Sequence, residues 1–545
     1  MTHFRENQLG FQLMTMERDD DDFGEGFIAE SHPLRPTQLT VPGNSSRAPS
    51  ISSSVTDLDA PIYARETTIP LSARAGLNAR LLFAITAAAL GSAFQHGYNT
   101  GVVNSPQEII KTWIGEVKSN RTNETVTEDE VTGIWSIAVS IFCIGGMIGG
   151  ALVGTIADNF GRKGGLLLNN ILVLITVLFE GFCKIAGSYE MIIIGRLVIG
   201  INAGFNAGLT PMYLAEISPM HLRGAVGTVY QLIITISILV AQILSMDKLF
   251  GTVEHWPLLL CLTIIPAIFQ CATLPICPES PKYLLLSKGR EVDAQRALSW
   301  LRNTNEVYEE MEEMKSEYES MKLVPKVTLK EILVNPALRI PLIISLMVML
   351  AQQLSGINAV MFFSDKIFRL AGLGEAAQSA TLGVGAMNVL MTLVSLVLVE
   401  KYGRKTLLLI GFGGMVIDTA LLTICIGYAQ SGNAAASYCS IIFVIMFVVI
   451  FAIGPGSIPW FLVSELFNQS ARPVATSIAI AVNWGANFIV TVSFLPLTKL
   501  LDTNVFIIFV VIQALFTVFI WKKVPETKNK TIEEISSMFR QISYQ

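Results

Sequence analysis

Residues 132–163 read TGIWSIAVSIFCIGGMIGGALVGTIADNFGRK, and this stretch decides the fold. From Thr132 to Gly154 no side chain is charged, and a helix of that length reaches across the ~30 Å hydrocarbon layer of a bilayer. It ends on Asp158, Arg162 and Lys163, charges of the kind that collect where a crossing meets water. Working outward, further apolar segments lie at 81–103, 165–186, 190–210, 225–247 and 257–277. A polar interval from 278 to 337 follows, and then 338–362, 378–399, 406–429, 438–462, 472–497 and 504–521. Composition agrees, with 52% hydrophobic and 15% charged residues where soluble proteins carry about 25% charged. The fold expected is an all-α integral membrane protein.

The charged punctuation repeats. Asp158 with Gly161-Arg162-Lys163 returns as Glu400 with Gly403-Arg404-Lys405. Glu216 and Arg223 return at the same separation as Glu465 and Arg472, and Pro278-Glu279 returns as Pro525-Glu526. Nearly constant spacing of three unrelated motifs implies two homologous six-helix halves, an architecture suited to a carrier that rocks about a site between them. The expected division is a disordered cytoplasmic tail at 1–78, an N-terminal half at 79–277, a cytoplasmic linker with short helices at 278–337, a C-terminal half at 338–521 and a cytoplasmic C-terminal tail at 522–545. The N-terminal tail holds the acidic run Asp19–Asp22 and a serine cluster with no sustained apolar stretch, too little to offset chain entropy.

Basic residues orient the bundle. Arg162, Lys163, Arg223, Lys401, Arg404, Lys405, Lys522 and Lys523 fall on the side of the central linker, which reads as cytoplasmic along with both termini. Loop 104–131 then lies outside, where Asn120-Arg-Thr and Asn123-Glu-Thr are glycosylation acceptors. Asp158, Arg162, Lys163, Glu216, Arg223, Glu400, Arg404, Lys405, Glu465 and Arg472 are expected to form an ion-pair network across the halves, closed in one state and parted in the other.

These motifs, with Gly195-Arg196, Pro278-Glu-Ser-Pro-Lys282 and Pro525-Glu-Thr-Lys528, resemble those of the sugar porter family within the major facilitator superfamily. Gln352-Gln-Leu-Ser-Gly-Ile-Asn358, Gly454-Pro-Gly-Ser-Ile-Pro-Trp460 and Asn483-Trp484 are similar to those of the animal class I-like facilitative glucose transporters, over about residues 80–535. The resemblance implies the major facilitator fold, with twelve transmembrane helices in two pseudo-symmetric halves, and adds Arg196 to the gating charges. It implies hexose uniport by alternating access at the cell membrane, with D-glucose the first substrate expected.

Polar side chains inside apolar segments are costly and are functional candidates. Gln231, Gln352, Gln353, Asn358, Asn388, Asn483 and Asn487 are all amides, which match the donors and acceptors of a neutral polyol without the cost of burying a charge. Trp460 and Trp484 offer flat apolar faces with an N–H each. The resemblance implies sugar contacts at Gln231, Gln352, Gln353, Asn358, Asn388, Trp460 and Asn487, with Trp484 near the site. Two departures are visible. Met349-Leu350-Ala351 stands where glucose-selective relatives carry Gln-Leu-Ser, and Ala452 stands where relatives place a glutamate before the Gly-Pro-Gly turn.

Related proton symporters carry an aspartate at the position of Asn99, and an amide cannot titrate, so uniport is expected. His96 is the nearby titratable group. The rival readings are a proton-coupled sugar symporter and a non-transporting sugar sensor on the same fold. No Walker loop, nucleophile elbow or metal-ligand cluster is present, so neither an enzyme nor a cofactor is expected. The partners expected are a hexose and the lipid bilayer; the net charge of −5 gives no reason to expect nucleic acid, and the oligomeric state stays open. The seven cysteines fall mostly inside apolar runs and read as packing residues.

Overall fold

The computed structural model describes residues 76–322, 327–468, 470–528, 530 and 532–543, all within the unit Thr68–Gln545. Nearly all of the expected N-terminal tail, 1–78, lies outside the described residues. The first half comprises α1 (Ala79–Ala88), α2 (Phe94–Gly101), α3 (Gln107–Thr122), α4 (Glu128–Phe160), α5 (Arg162–Ala186), α6 (Glu190–Ile217), α7 (Arg223–Leu244), α8 (Trp256–Cys261) and α9 (Ile264–Thr273). The linker carries α10 (Glu291–Arg302), α11 (Tyr308–Lys322) and α12 (Leu329–Val334). The second half comprises α13 (Pro336–Leu354), α14 (Ile357–Leu370), α15 (Ala376–Lys401), α16 (Arg404–Gln430), α17 (Ala434–Ile453), α18 (Ile458–Leu466), α19 (Arg472–Leu501) and α20 (Val505–Lys523), followed by α21 (Ile532–Ser543). Ten stretches are long and apolar enough to cross a membrane, and the last of these, Arg472–Lys523, holds two helices. With α1–α2, whose joint is a π-helical turn at Ala89–Ala93, the described residues make twelve crossings.

Side chains start several of these helices. Thr127 accepts the Glu130 N–H ahead of α4, and Asn433 accepts from Ala435 and Ala436 ahead of α17, each satisfying N–H groups that a helix start leaves free. Small residues then set how closely helices pack. A Cβ at Gly149 of α4 would overlap the Ile201 carbonyl of α6, and one at Gly200 the Phe142 carbonyl, so these two backbones touch. Close approach of this kind replaces the hydrophobic drive that lipid does not supply.

The halves meet along α4 with α19 and along α7 with α15. In the linker, Arg302 bonds Glu310 through Nε and Nη2 (2.9 and 2.6 Å) and donates to the Ile217 carbonyl at 2.8 Å. That ties α10 and α11 to the end of α6. Glu291 and Glu312 flank the exposed Lys315 ammonium and push its pKa up to about 12.

Three local features differ from the sequence reading. Loop 104–131 contains the helix α3. The segment expected at 338–362 continues to Leu370, past a break at Ser355–Gly356 that the glycine between Gln352 and Asn358 allows and where Gly356 takes φ +98°. The first crossing widens into its π turn where Gly91 faces Gln270, whose side chain fills the space a Cβ would need.

Candidate functional site

The break between α13 and α14 gathers amides from two crossings onto the turn of a third. Gln352 donates both Nε2 hydrogens to carbonyls of the interrupted α17–α18 helix, Pro455 at 2.9 Å and Gly456 at 2.8 Å. Its Oε1 accepts from Asn483 of α19 at 2.8 Å and from Gln353 at 3.3 Å. Gln353 also donates to Asn483 Oδ1 at 2.9 Å, and Asn358 Nδ2 donates to Gln353 Oε1. Helix-breaking residues supply the free carbonyls at Pro455 and Gly456, and the amides answer them, as irregular backbone at membrane depth requires.

The remaining candidates are less committed. Asn487 accepts from Thr491 at 3.1 Å, and its Nδ2 shows no protein acceptor among the described residues. Among the described residues, the Asn388 side chain reaches the Met361 sulfur at 3.9 Å and no other partner. Gln231 on α7 and Trp460 on α18 are exposed, with no protein hydrogen bond among the described residues. Trp484 projects from α19 into the first half. A Cβ at Gly146 would stand 2.7 Å from its ring, Phe142 meets it edge-on at 6.1 Å and 70°, and His96 stacks on it at 5.9 Å and 26°. Gln352, Gln353, Asn358 and Asn483 thus form one bonded cluster, and Trp484, next in the chain to Asn483, reaches from it into the first half.

Asn99 is fully buried; its Nδ2 donates to the Gln95 carbonyl at 2.8 Å and to Thr263 Oγ1 at 2.9 Å. Arg196 belongs here and not with the linker-face charges. It lies in the second turn of α6, far along the helix from Glu216, where Nη1 donates to the Asn99 carbonyl at 3.0 Å and the guanidinium lies 4.6 Å from the Phe142 ring centre. It thus lies apart from the linker-face charges with which it was grouped.

At the linker face the repeated motifs build the same cluster twice. Arg162 binds Glu216 Oε1 through Nε and Nη2 (3.2 and 3.0 Å), and Ser280 Oγ donates to the other carboxylate oxygen. Arg404 binds Glu465 Oε1 likewise (3.0 and 2.8 Å), and Thr527 Oγ1 donates to its second oxygen. Glu279 accepts the N–H groups of Arg162 (3.0 Å), Lys163 (3.0 Å) and Gly164 (3.2 Å), so a carboxylate caps the positive end of α5. Glu526 caps α16 through Arg404 (2.8 Å) and Lys405 (3.1 Å). A Cβ at Gly161 or Gly403 would overlap that carboxylate, which explains the glycine in both motifs.

In this structure these bonds stay inside each half, so the linker-face charges here are parted across the halves. The acidic partner of each arginine side chain, Glu216 at the end of α6 and Glu465 at the end of α18, comes from the same six-helix unit. Asp158 is exposed, and it is its backbone carbonyl that accepts, from Tyr283 Oη at 3.1 Å. Arg223 and Arg472 donate to the carbonyls of Ser218 (3.4 Å) and Phe467 (3.2 Å), where the network had carboxylates. Lys163 Nζ reaches the carbonyls of Pro275 and Cys277. The Glu400 side chain lies outside the described residues.

Bonds between the halves are found at the opposite face. Asn104 donates to the Met361 carbonyl (3.0 Å) and Ser364 Oγ (2.7 Å) and accepts from the Asp365 N–H (3.1 Å). Gln378 donates to Asp247 (2.7 Å), Lys366 lies 3.7 Å from Glu108, and Lys499 lies 3.0 Å from Asp129. Asn120 and Asn123 are exposed on this face, the latter ending α3 at φ 54°.

Residues 84–539 match the family described as "Sugar (and other) transporter". The chain belongs to that family. This sugar transporter is 46% identical over 452 residues to facilitated glucose transporter protein 1 of Caenorhabditis elegans, covering 82% of the chain and 88% of the relative. It is 46% identical over 459 residues to solute carrier family 2, facilitated glucose transporter member 3, of Ovis aries, covering 84% and 92%. Among solved structures, the xylose transporter XylE from E. coli in a partially occluded inward open conformation matches with a TM-score of 0.70 and 26% identity, covering 83% of this chain and all of that one. The fold is that of the major facilitator superfamily, and the transporter is no enzyme.

Sequence reasoning missed a second amide lattice inside the first half of the transporter. Gln95 donates to Asn170 (2.8 Å) and accepts from Asn202 (3.1 Å) and Asn206 (3.2 Å). Asn170 donates to Gln270, Gln270 to Ser92, and Asn169 to Asn206 (2.8, 2.7 and 2.8 Å). Glu180 was missed too; it is fully buried against Gly195 and within electrostatic reach of Arg196. The rule that selected Gln231, a polar side chain in an apolar run, would have found all of them. At the two departures, the Met349 sulfur accepts from Asn483 Nδ2 at 3.5 Å, and Ala452 is buried.

Proposed function

We infer that this transporter carries D-glucose down its gradient as a uniporter, by alternating access between its two halves. The observation that carries this is the split among its amides. Gln352, Gln353 and Asn483 bond one another and the broken helix, whereas Gln231, Asn487 and the exposed Trp460 indole keep donors or a face free. A neutral hexose needs such uncommitted groups held on a fixed frame. Relatives named as facilitated glucose transporters support the substrate, and the non-titrating Asn99 supports uniport.

The sugar contacts proposed are Gln231, Gln352, Gln353, Asn358, Asn388, Trp460 and Asn487, with Trp484 bordering them. The linker face and both termini are cytoplasmic, the membrane is the plasma membrane, and Asn120 or Asn123 carries the glycan. The linker-face clusters act as two rigid end-pieces, one per half, that separate or approach as the halves rock. Purified protein in liposomes, loaded with labelled D-glucose, tests this against Gln231→Leu and Trp460→Leu. Saturable uptake that both variants weaken is expected. Uptake equal to empty liposomes would favour a sensor, and accumulation against the glucose gradient with acidification of the lumen would favour a symporter.

A further inference from the structure

His96 stands where three crossings meet. Its Nδ1 lies 3.0 Å from Tyr230 Oη on α7, and its ring stacks on Trp484, which comes from the other half. Tyr230 is the chain neighbour of Gln231, the one sugar-contact candidate in the first half. Trp484 is fixed on its remaining sides by Phe142 and Gly146, and follows directly on Asn483 of the amide frame. An imidazole joins the two sides in a way few side chains can. It offers a ring nitrogen for the phenol at its edge and a flat face for the indole.

We propose that His96 is a positioning residue for the sugar. Its bond to Tyr230 and its stack on Trp484 set the distance between the Gln231 side of the site and the Trp484 side. The inference rests on the sugar site proposed above. The bond is not explained by helix packing alone, since a leucine or phenylalanine would fill the same volume without it. His96 acts on affinity through the spacing of groups borne by other helices, and the conformational step is left nearly unchanged.

The test is zero-trans D-glucose uptake in liposomes for His96→Phe, Tyr230→Phe and the double variant, with Gln231→Leu as reference. His96→Phe keeps an aromatic face for Trp484 and loses the bond; Tyr230→Phe removes only the oxygen. Each single change is expected to raise KM about threefold to tenfold, the worth of one buried hydrogen bond, with Vmax within about twofold. The double variant is expected to match the weaker-binding single one, because both changes delete the same bond. Multiplying effects in the double variant, an unchanged KM, or a fall in Vmax at constant KM would overturn the proposal. If His96→Phe fails to fold, Tyr230→Phe decides by its KM. A normal KM in Gln231→Leu would instead refute the site reading itself, whatever the histidine does.

Discussion

Replacing Asn104 by alanine removes the densest set of bonds between the halves. The side chain is fully buried and makes three bonds to α14, two as donor and one as acceptor (3.0, 2.7 and 3.1 Å). Inside a membrane protein each is worth about 0.6–1 kcal/mol net, so the set contributes about 2–3 kcal/mol. All three must break when the face opposite the linker opens, and none is needed once it is open. At 1.4 kcal/mol per tenfold, Asn104→Ala therefore shifts the balance toward states open at that face by roughly 30-fold to 150-fold. Hydrogen exchange read by mass spectrometry on the purified protein gives the assay. Faster exchange is expected at the ends of α2 and α14 and slower exchange at the linker-face starts of α5 and α16. Lys499→Ala, which removes an exposed pair, should move the same peptides only slightly. Faster exchange at both faces would mean general loosening, and no change at either would mean the three bonds persist in both states; each refutes the reasoning.

The caps and the amide frame give two further expectations. Glu279→Ala strips three N–H bonds and a favourable charge from the start of α5, costing about 2–4 kcal/mol; Glu279→Gln keeps one accepting oxygen and is expected to lose about half as much. Thermal denaturation in detergent measures both, and Glu526→Ala should lose somewhat less than Glu279→Ala because Glu526 caps two helix-start N–H groups where Glu279 caps three. Gln352→Leu deletes four bonds and leaves the Pro455 and Gly456 carbonyls unanswered, for about 2 kcal/mol. Lower thermal stability and lost D-glucose uptake are expected together in that variant, whereas Asn487→Ala should lose affinity with stability kept.

The membrane class and the helical crossings were legible because burial in lipid leaves a signal in every residue of a crossing: the run from Thr132 to Gly154 admits no charge at all. Breaks fall where backbone chemistry forces them, at Gly356 and at Gly454-Pro-Gly456. The π turn at Ala89–Ala93 was not, because nothing in its local sequence demands it; it follows from Gln270 arriving from another helix. The same distinction separates the charged motifs. Gly-Arg-Lys and Pro-Glu were readable as a repeated pair, but the sequence holds no distance, so nothing in it showed that the Pro-Glu carboxylate caps the helix the Gly-Arg-Lys motif starts. The amides make the sharpest case. Gln231 and Gln352 look identical as letters in an apolar run. One is free and the other is saturated by two carbonyls and two amides, a difference set by which helix stands opposite. A site for a neutral sugar needs both kinds, since a free amide on an unfixed helix would be too mobile to select a hydroxyl, and a saturated one meets the sugar only by exchanging one of its present bonds. Which residues select the sugar is therefore decided by the partners the fold assigns, and that places His96, bonded on one side and stacked on the other, between the two kinds.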